Sequence, residues 1–182
     1  RIRVSARDAG GLSGSDTSNT NFTITTGPAE GNVLSMGTGS GASGAQVTVA
    51  LNLANEDAVK AIQSDIQFDP AVVSFVSGAT TGRGEGMSFS ASVVGGNAAR
   101  LVMVFTDTRT IPAGQGAVAN LTFNLIGANG TQSTLAPSNT ILADAQAQEL
   151  PSSEGAGVIQ VTDRILVATE VLPKAMDVGA YY

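Results

Sequence analysis

The 182-residue chain contains no histidine, no cysteine and no tryptophan. These absences exclude Ser-His-Asp and Cys-His catalytic groups, zinc sites of the usual kind, haem and iron–sulfur ligation, and disulfides. Aromatic residues make up 4% of the chain, and both tyrosines, Tyr181 and Tyr182, stand at its end. Few side chains are therefore available to stack against sugar rings or nucleic-acid bases.

Charge is also scarce, and its balance is acidic. The 9 basic and 15 acidic side chains give a net charge of −6, which argues against a nucleic-acid partner because phosphate neutralisation needs clustered Lys and Arg. The sequence has no apolar run of the ~18 residues that a membrane span needs and no signal-peptide pattern. We expect an exported prokaryotic protein, extracellular or at the cell surface. Because the chain starts at Arg1 rather than Met, we interpret it as a processed or excerpted part of a larger product.

The dominant pattern is the alternation of apolar and polar residues that half-buried strands produce. It is clearest over Gln46–Leu53 and recurs over Ile62–Phe68 and Leu121–Leu125. Clusters of Gly, Ser, Asn and Pro separate these runs, at Gly37–Gly44, Gly78–Gly86, Gly95–Asn97, Pro112–Gly116, Gly127–Ser133 and Pro151–Gly157. Short strands separated by such turns predict an all-β sandwich.

The run Leu101–Phe105 is apolar at every position. It is either a central strand covered on both sides or a strand whose second face is exposed as a protein interface. The second alternative makes Val102 and Val104 candidate partner-binding residues.

Two terminal segments lie outside this series. Arg1–Ala6 and Thr20–Thr26 predict two strands joined by a polar loop, and Arg164–Leu172 predicts one more strand. The chain then divides into a hairpin at 1–26, a linker at 27–32, a main domain at 33–162 and a tail at 163–182. An isolated hairpin is marginal in water, so these strands need each other, the main domain or another chain. If they complete a neighbouring copy, the contacts involve Ile2, Val4, Phe22, Ile24, Ile165, Val167 and Val171.

The main domain resembles a known family. After QVTVALNL and a short polar loop comes AIQSDIQFDPAVVSFVSG. This strand, which ends in Phe-Asp-Pro at Phe68–Pro70 and precedes a short strand and a glycine turn, resembles the cohesin family. ARLVMVFTDTRTIPAGQGAVANLTFNLIG, ILADAQAQELP and GVIQV resemble its later segments. The resemblance covers roughly residues 33–162 and implies a jelly-roll sandwich of about nine strands that binds dockerin modules.

The resemblance also implies where a partner binds. The family's dockerin-binding face corresponds here to Ala61–Phe68, Leu101–Asp107 and the neighbouring edges. The family's polar positions on the first of these strands fall on Ala61 and Gln63, and an acidic position after the central strand falls on Thr106. The candidate partner-binding residues are Gln63, Asp65, Gln67, Val102, Val104 and Thr106.

The opening segment, RIRVSARDAGGLSGSDTSNTNFTI, resembles the last two strands of a fibronectin type III or bacterial Ig-like domain. This resemblance implies that residues 1–26 are the terminal hairpin of an incomplete domain.

Three motifs have both a chemical and a structural interpretation. Gly39–Gly44 matches G-x-G-x-x-G, but a strand pattern follows where a dinucleotide site needs a helix, which favours a flexible turn. Asp65 and Asp69 would suit paired glycosidase carboxyls; we favour a solvated strand residue and a turn cap, because aromatic cleft walls are absent. Lys60 and Lys174 are the only lysines, and nothing places either beside the acid that an isopeptide bond requires.

Calcium and glycans are further alternatives, while no other cofactor is expected. Carboxylates in loops are solvated by default, and the calcium candidates are Asp8 and Asp16, with a second cluster of Asp144, Glu149 and Glu154. The N-x-Thr triplets give the glycosylation candidates Asn21, Asn120 and Asn129. Asn129 is the best placed of these, because Asn-Gly favours an exposed turn.

These observations favour a non-enzymatic extracellular module that binds a protein, dockerin-like or a further copy of itself, through a sheet face or edge. One alternative is a self-assembling surface filament in which terminal strands complete a neighbouring copy. A further alternative is a carbohydrate-binding module, against which the lack of tryptophan argues. We expect no enzymatic activity, because the sequence offers no convincing acid–base pair.

Overall fold

The structure, a computed structural model, describes residues 3–7, 13–17 and 31–163. The chain divides into two units, residues 1–30 and 31–182, which are treated separately. In the first unit, β1 (Arg3–Arg7) pairs with β2 (Ser13–Thr17) in an antiparallel sheet. The predicted loop between Arg7 and Asn19 is therefore wrong, because strand pairing uses backbone groups and the polar segment SGSDT provides them without any apolar alternation. The predicted strand Thr20–Thr26 lies outside the described residues.

Twelve further strands build the described part of the second unit. They are β3 (Asn32–Met36), β4 (Gly39–Ala42), β5 (Gln46–Asn55), β6 (Ala61–Gln67), β7 (Val73–Thr80), β8 (Ser88–Val94), β9 (Ala98–Val104), β10 (Gly114–Leu125), β11 (Gln132–Ala143), β12 (Glu149–Leu150), β13 (Ser152–Gly155) and β14 (Gly157–Thr162). A 3-10 turn over Gly82–Gly84 joins β7 to β8. Within the described ranges, no helix is long and apolar enough to cross a membrane.

These strands form two sheets, which confirms the all-β jelly-roll sandwich. One sheet has the order β13–β3–β5–β10–β7, and the other has the order β4–β14–β11–β6–β9–β8, with β12 paired to β11. The nine longer strands pair antiparallel with one another, whereas β13 pairs parallel with β3 and β4 pairs parallel with β14. The short strands β4, β12 and β13 therefore supplement the nine that the resemblance implies.

One apolar core fills the space between the sheets. Phe123 on β10 is fully buried, and its ring meets those of Phe68 and Phe75 edge-on at centroid distances of 5.9 and 5.6 Å. Most inward residues of the alternating runs are also fully buried, among them Leu51, Leu53, Ile62, Ile66 and Leu121. The alternation in the sequence therefore identifies the core faces of β5, β6 and β10 correctly.

Two predicted turn clusters contain strands instead. β4 lies within Gly37–Gly44 and β13 lies within Pro151–Gly157, and both pair in parallel through backbone groups. Small residues are required where the chains approach closely. A Cβ atom at Gly157 would collide with the carbonyl oxygen of Gly37, so glycine is needed at the start of β14.

Candidate partner-binding face

Four adjacent strands, β8, β9, β6 and β11, carry most of the predicted partner-binding residues on one surface. The inward row of β6 is buried, which directs the alternate residues Gln63, Asp65 and Gln67 outward. On β9 the inward residues Leu101 and Met103 are fully buried. We call the outward surface of these four strands the outer face.

The strand register places an apolar row across the outer face. Val102 on β9 lies opposite Ser90 on one side and Gln63 on the other, and Gln63 lies opposite Ile141 on β11. The exposed fractions of Val102 and Ile141 are 40% and 42%. Directly opposed residues have Cβ atoms about 5 Å apart, so the two apolar side chains flank the Gln63 amide.

The same register decides between the two interpretations of Leu101–Phe105. Its inward members are buried, whereas Val102 is exposed and Val104 is half-buried between Ala61 and Ser88. The run is therefore a strand whose second face remains partly exposed, rather than one covered on both sides.

An ion pair occupies the row below Val102. Arg100 donates from Nε to Oδ1 of Asp65 and from Nη2 to Oδ2, both at 2.7 Å. Nδ2 of Asn139 donates to the same Oδ2 at 3.1 Å. The side chain of Asp65 is 5% exposed and that of Arg100 is 47% exposed. The prediction that Asp65 is a solvated strand residue is therefore wrong, because Arg100 and Asn139 cover and neutralise its carboxylate.

A β-bulge on β11 positions the third member of this group. The pairing of β11 with β6 shifts between Ser138 and Ile141, and Asn139 takes a positive φ of 50° there. Ser138 holds the bulge to β6 by donating from Oγ to the backbone oxygen of Asp65 at 3.0 Å. The extra residue also sets the register that brings Ile141 opposite Gln63.

The ion pair changes the acidity of both groups. Hydrogen bonding to Arg100 lowers the pKa of Asp65 below its ordinary value, with Asn139 and the charge of Arg100 acting in the same direction and burial opposing them. Hydrogen bonding to Asp65 raises the pKa of Arg100. The pair is therefore charged at neutral pH and presents a half-exposed guanidinium whose charge is compensated locally.

Charged residues lie at one end of the outer face, beyond Val104. Arg109 donates from Nε to Oδ2 of Asp107 at 2.7 Å, and its guanidinium lies 4.9 Å from the ring centroid of Phe105. Lys60 donates from Nζ to the backbone oxygens of Asp107 and Arg109, not to the carboxyl group that an isopeptide bond requires. Thr106 is exposed in the bend that follows β9.

The other sequence motifs have structural roles in the described residues. Asp69 accepts a hydrogen bond from the backbone nitrogen of Ala71 at 2.9 Å, as a turn cap does. Asp65 is engaged by Arg100, so each of the two carboxylates has a structural partner. Gly39–Gly44 contains β4 and a turn and leads into β5, so no helix end is available there for a phosphate.

The second group of calcium candidates, Asp144, Glu149 and Glu154, does not converge on a common site. Oδ1 of Asp144 accepts hydrogen bonds from the backbone nitrogens of Gln146 and Gln148, both at 2.8 Å. In the part of the chain that the structure describes, no three acidic side chains come close enough to hold a metal ion. Asp16 lies on β2 opposite Val4, rather than in a loop.

Of the glycosylation candidates, Asn129 is exposed in a turn and Asn120 is half-buried in the middle of β10. The remaining candidate residues lie outside the described ranges: Asp8, Asn21, Ile2, Phe22, Ile24, Ile165, Val167, Val171 and Lys174.

The sequence reasoning missed Arg100, Asn139 and Ile141. For Arg100 the signal was present, since the inward positions 101 and 103 make 100 and 102 outward on the same strand. Asn139 and Ile141 depend on the bulge, and the segment APSNTIL does not show its position.

Solved structures share this architecture. A non-cellulosomal cohesin from the archaeon Archaeoglobus fulgidus matches with a TM-score of 0.64 and 15% identity, over 73% of this chain and 92% of that chain. A cohesin from scaffoldin B of Acetivibrio cellulolyticus, solved with a Cel5 dockerin, matches with a TM-score of 0.61 and 19% identity, over 72% and 99%. A type I cohesin–dockerin complex from Clostridium thermocellum matches with a TM-score of 0.64 and 13% identity, over 72% and 99%.

The sequence comparison covers the same region. No curated protein matches the chain. The family model of the cohesin domain matches residues 32–161, which contain all the strands of the outer face. The chain therefore belongs to the cohesin domain family.

Proposed function

We propose that this chain is a non-enzymatic docking module that binds a protein partner through the outer face. The observation that carries the proposal is the row Val102–Gln63–Ile141, in which two apolar side chains, 40% and 42% exposed, flank one amide. Apolar side chains that are exposed near one another on one sheet face mark a protein contact more often than singly scattered ones do.

The outer face is built to keep one shape. β9 pairs with β8 and with β6 over seven residues each, without a register shift. The Asp65–Arg100 pair and the bulge at Asn139 join β6 to its two neighbours below the apolar row. Little conformational entropy would then be lost on binding, which favours affinity.

The chemistry of the face indicates what a partner must present. Val102 and Ile141 fit an apolar ridge, such as one side of a helix. Arg100 uses two of its N–H groups for Asp65, and arginine carries five. Its side chain is 47% exposed, so a hydrogen-bond acceptor beside the partner's apolar ridge would meet its outward N–H groups.

A dockerin-like module is the partner class that we propose. Membership of the cohesin family supports it, as do the cohesin–dockerin complexes among the similar structures. We propose an extracellular or cell-surface location on the same ground, since scaffoldin cohesins work outside the cell.

Lysine substitutions test the proposal against dockerin modules in a titration calorimeter. We expect Val102→Lys and Ile141→Lys each to weaken binding about tenfold or more, because a lysine at the centre of an interface must be desolvated. The matched controls are Val76→Lys and Ile126→Lys, which change residues of the same types and at least the same exposure away from the outer face. Equal affinity of all four variants would exclude the outer face.

A second candidate function is assembly of copies through terminal strands. The observation that favours it is the separate β1–β2 sheet, whose two strands have five residues each, because a two-stranded sheet is marginal alone. Negative-stain microscopy tests it: filaments that disappear on replacing Ile165 and Val167 by Thr would support assembly, and a strictly monomeric chain would exclude it.

A further inference from the structure

Strand β8 has one long backbone edge that pairs with no other strand in the described residues. Its seven residues, Ser88–Val94, all pair with β9 on one side. On its other side, none of the described strands pairs with it. Alternate residues of such a strand direct their N–H and C=O groups away from the sheet, where they can accept another strand.

The other sheet edges in the described residues carry features that hinder pairing. On β7 the register with β10 shifts where Val76 is inserted, which marks a bulge. β4 and β13 have only four residues each, and β13 contains Glu154. Bulges, short length and charge are the usual means by which proteins protect an edge.

β8 has none of these protections. Its sequence, SFSASVV, has no charge and no proline, and its register with β9 is unbroken. In a chain with a net charge of −6, it is a neutral segment seven residues long. Val93 adds an apolar side chain that is 49% exposed at this edge.

We propose that β8 pairs antiparallel with β8 of a second copy, about a two-fold axis at Ala91. This register is the one that pairs all seven residues. It places Phe89 opposite Val93 of the second copy, Ser90 opposite Ser92, and Ala91 opposite itself. Apolar residues then face apolar ones on the inward side, where the ring of Phe89 already packs beneath Gly78.

A second copy fits this edge better than an unrelated strand because the pairing is self-complementary. A two-fold antiparallel contact is closed, so it produces a dimer and not a fibre. It also keeps both outer faces on the same side of one continuous sheet, with Val102 and Ile141 uncovered in each copy. The dimer would present two outer faces side by side, and its formation does not depend on what those faces bind.

Substitutions that place charges on the β8 edge test the proposed pairing. Sedimentation equilibrium at up to about 1 mM protein, the range in which weak dimers form, measures the association. Ser90 and Ser92 are exposed, and the proposed register sets them opposite each other. We expect the wild type to dimerise reversibly, and S90K/S92K and S90E/S92E to dimerise at least tenfold more weakly when each is alone. An equimolar mixture of the two variants should recover the dimer, and the control Q46K/Q132K, with lysines at exposed positions of β5 and β11, should dimerise like the wild type.

Cysteine pairs test the register, since the chain contains no cysteine. A mixture of S90C and S92C should form disulfide-linked dimers, whereas S90C alone should not, because its two cysteines would lie about 8 Å apart on the diagonal. Three results would each overturn the proposal: a wild type that stays monomeric at about 1 mM, a dimer unaffected by the charges, or concentration-independent exchange protection of those β8 amides that point away from β9. The last would show that another segment of the same chain covers the edge.

Discussion

Arg100 holds Asp65 through two hydrogen bonds, from Nε to Oδ1 and from Nη2 to Oδ2, both 2.7 Å long. The carboxylate is 5% exposed and the guanidinium is 47% exposed. The outer face therefore exposes the cation of this pair, while the anion orients it. The pair joins β6 to β9 directly beside the apolar row of the outer face.

Removing the arginine should destabilise the fold. For Arg100→Gln we expect a clear loss in the free energy of unfolding, because the buried carboxylate of Asp65 loses both of its charged hydrogen-bond donors. The matched control is Arg109→Gln, which breaks the exposed pair with Asp107 and should change the free energy of unfolding much less. Urea unfolding at pH 7 measures both, and equal losses would contradict a structural role for the Asp65 pair.

Acid should weaken the fold through Asp65. Its pKa is lowered in the folded chain, so the folded state binds this proton less readily than the unfolded state does. The stabilisation is complete above the unfolded pKa of about 3.9 and is lost as the pH falls through the lower folded value. Urea unfolding from pH 6 to pH 2.5 should therefore show a steeper loss of stability in the wild type than in Asp65→Asn.

The matched control for this pH dependence is Asp107→Asn. The pKa of Asp107 is also lowered, by hydrogen bonds from Arg109, but both side chains of that pair are exposed. Its removal should leave the acid slope close to that of the wild type. A slope that flattened in Asp107→Asn and not in Asp65→Asn would refute the assignment.

Two substitutions at Asn139 separate the contribution of its backbone conformation to stability from that of its hydrogen bond to Asp65. Asn139→Gly keeps the positive φ of 50° accessible and loses only the bond to Asp65. Asn139→Ala loses the bond and also adopts the left-handed conformation at a cost of about 1 kcal/mol. Thermal unfolding should rank the wild type above Asn139→Gly and Asn139→Gly above Asn139→Ala. An alanine variant as stable as the glycine variant would mean that the bulge is absent.

Close packing of β14 against the segment after β3 gives a fourth prediction. Gly157→Ala should destabilise the chain by more than about 2 kcal/mol, because its Cβ would collide with the carbonyl oxygen of Gly37. Gly37→Ala is the control, since a Cβ there lies no closer than 3.4 Å to its neighbours. Denaturant midpoints measure the difference, and equal midpoints would contradict this packing.

The sequence predicts the core of this fold better than its surface. Alternation in Gln46–Leu53 and Leu121–Leu125 identifies strands because burial of every second residue leaves a pattern. β8 shows this alternation only over residues 88–93, where serines alternate with Phe89, Ala91 and Val93, and small residues at four of these six positions make the pattern weak. The segment that contains β2 has the composition of a polar loop. The strand forms there through backbone pairing with β1, which leaves no apolar alternation in the sequence.

The outer face was predictable only in part, because only some of its residues follow from alternation in the sequence. Gln63 and Val102 follow from strand alternation and from the family resemblance. Ile141 required knowledge of a one-residue bulge, and a bulge moves every later side chain to the other face. The burial of Asp65 required knowing that Arg100 and Asn139 reach it from two different strands, which a single sequence does not show.

The central claim is that a protein partner binds the outer face, and methyl NMR during titration with a dockerin module tests it most directly. Valine and isoleucine methyl groups report on both sides of the sandwich in one experiment. We predict that the signals of Val102, Val104 and Ile141 shift or broaden, while those of Val76 and Ile126 stay unchanged. A bound partner that shifts Val76 or Ile126 and leaves Val102 and Ile141 unchanged would contradict the account.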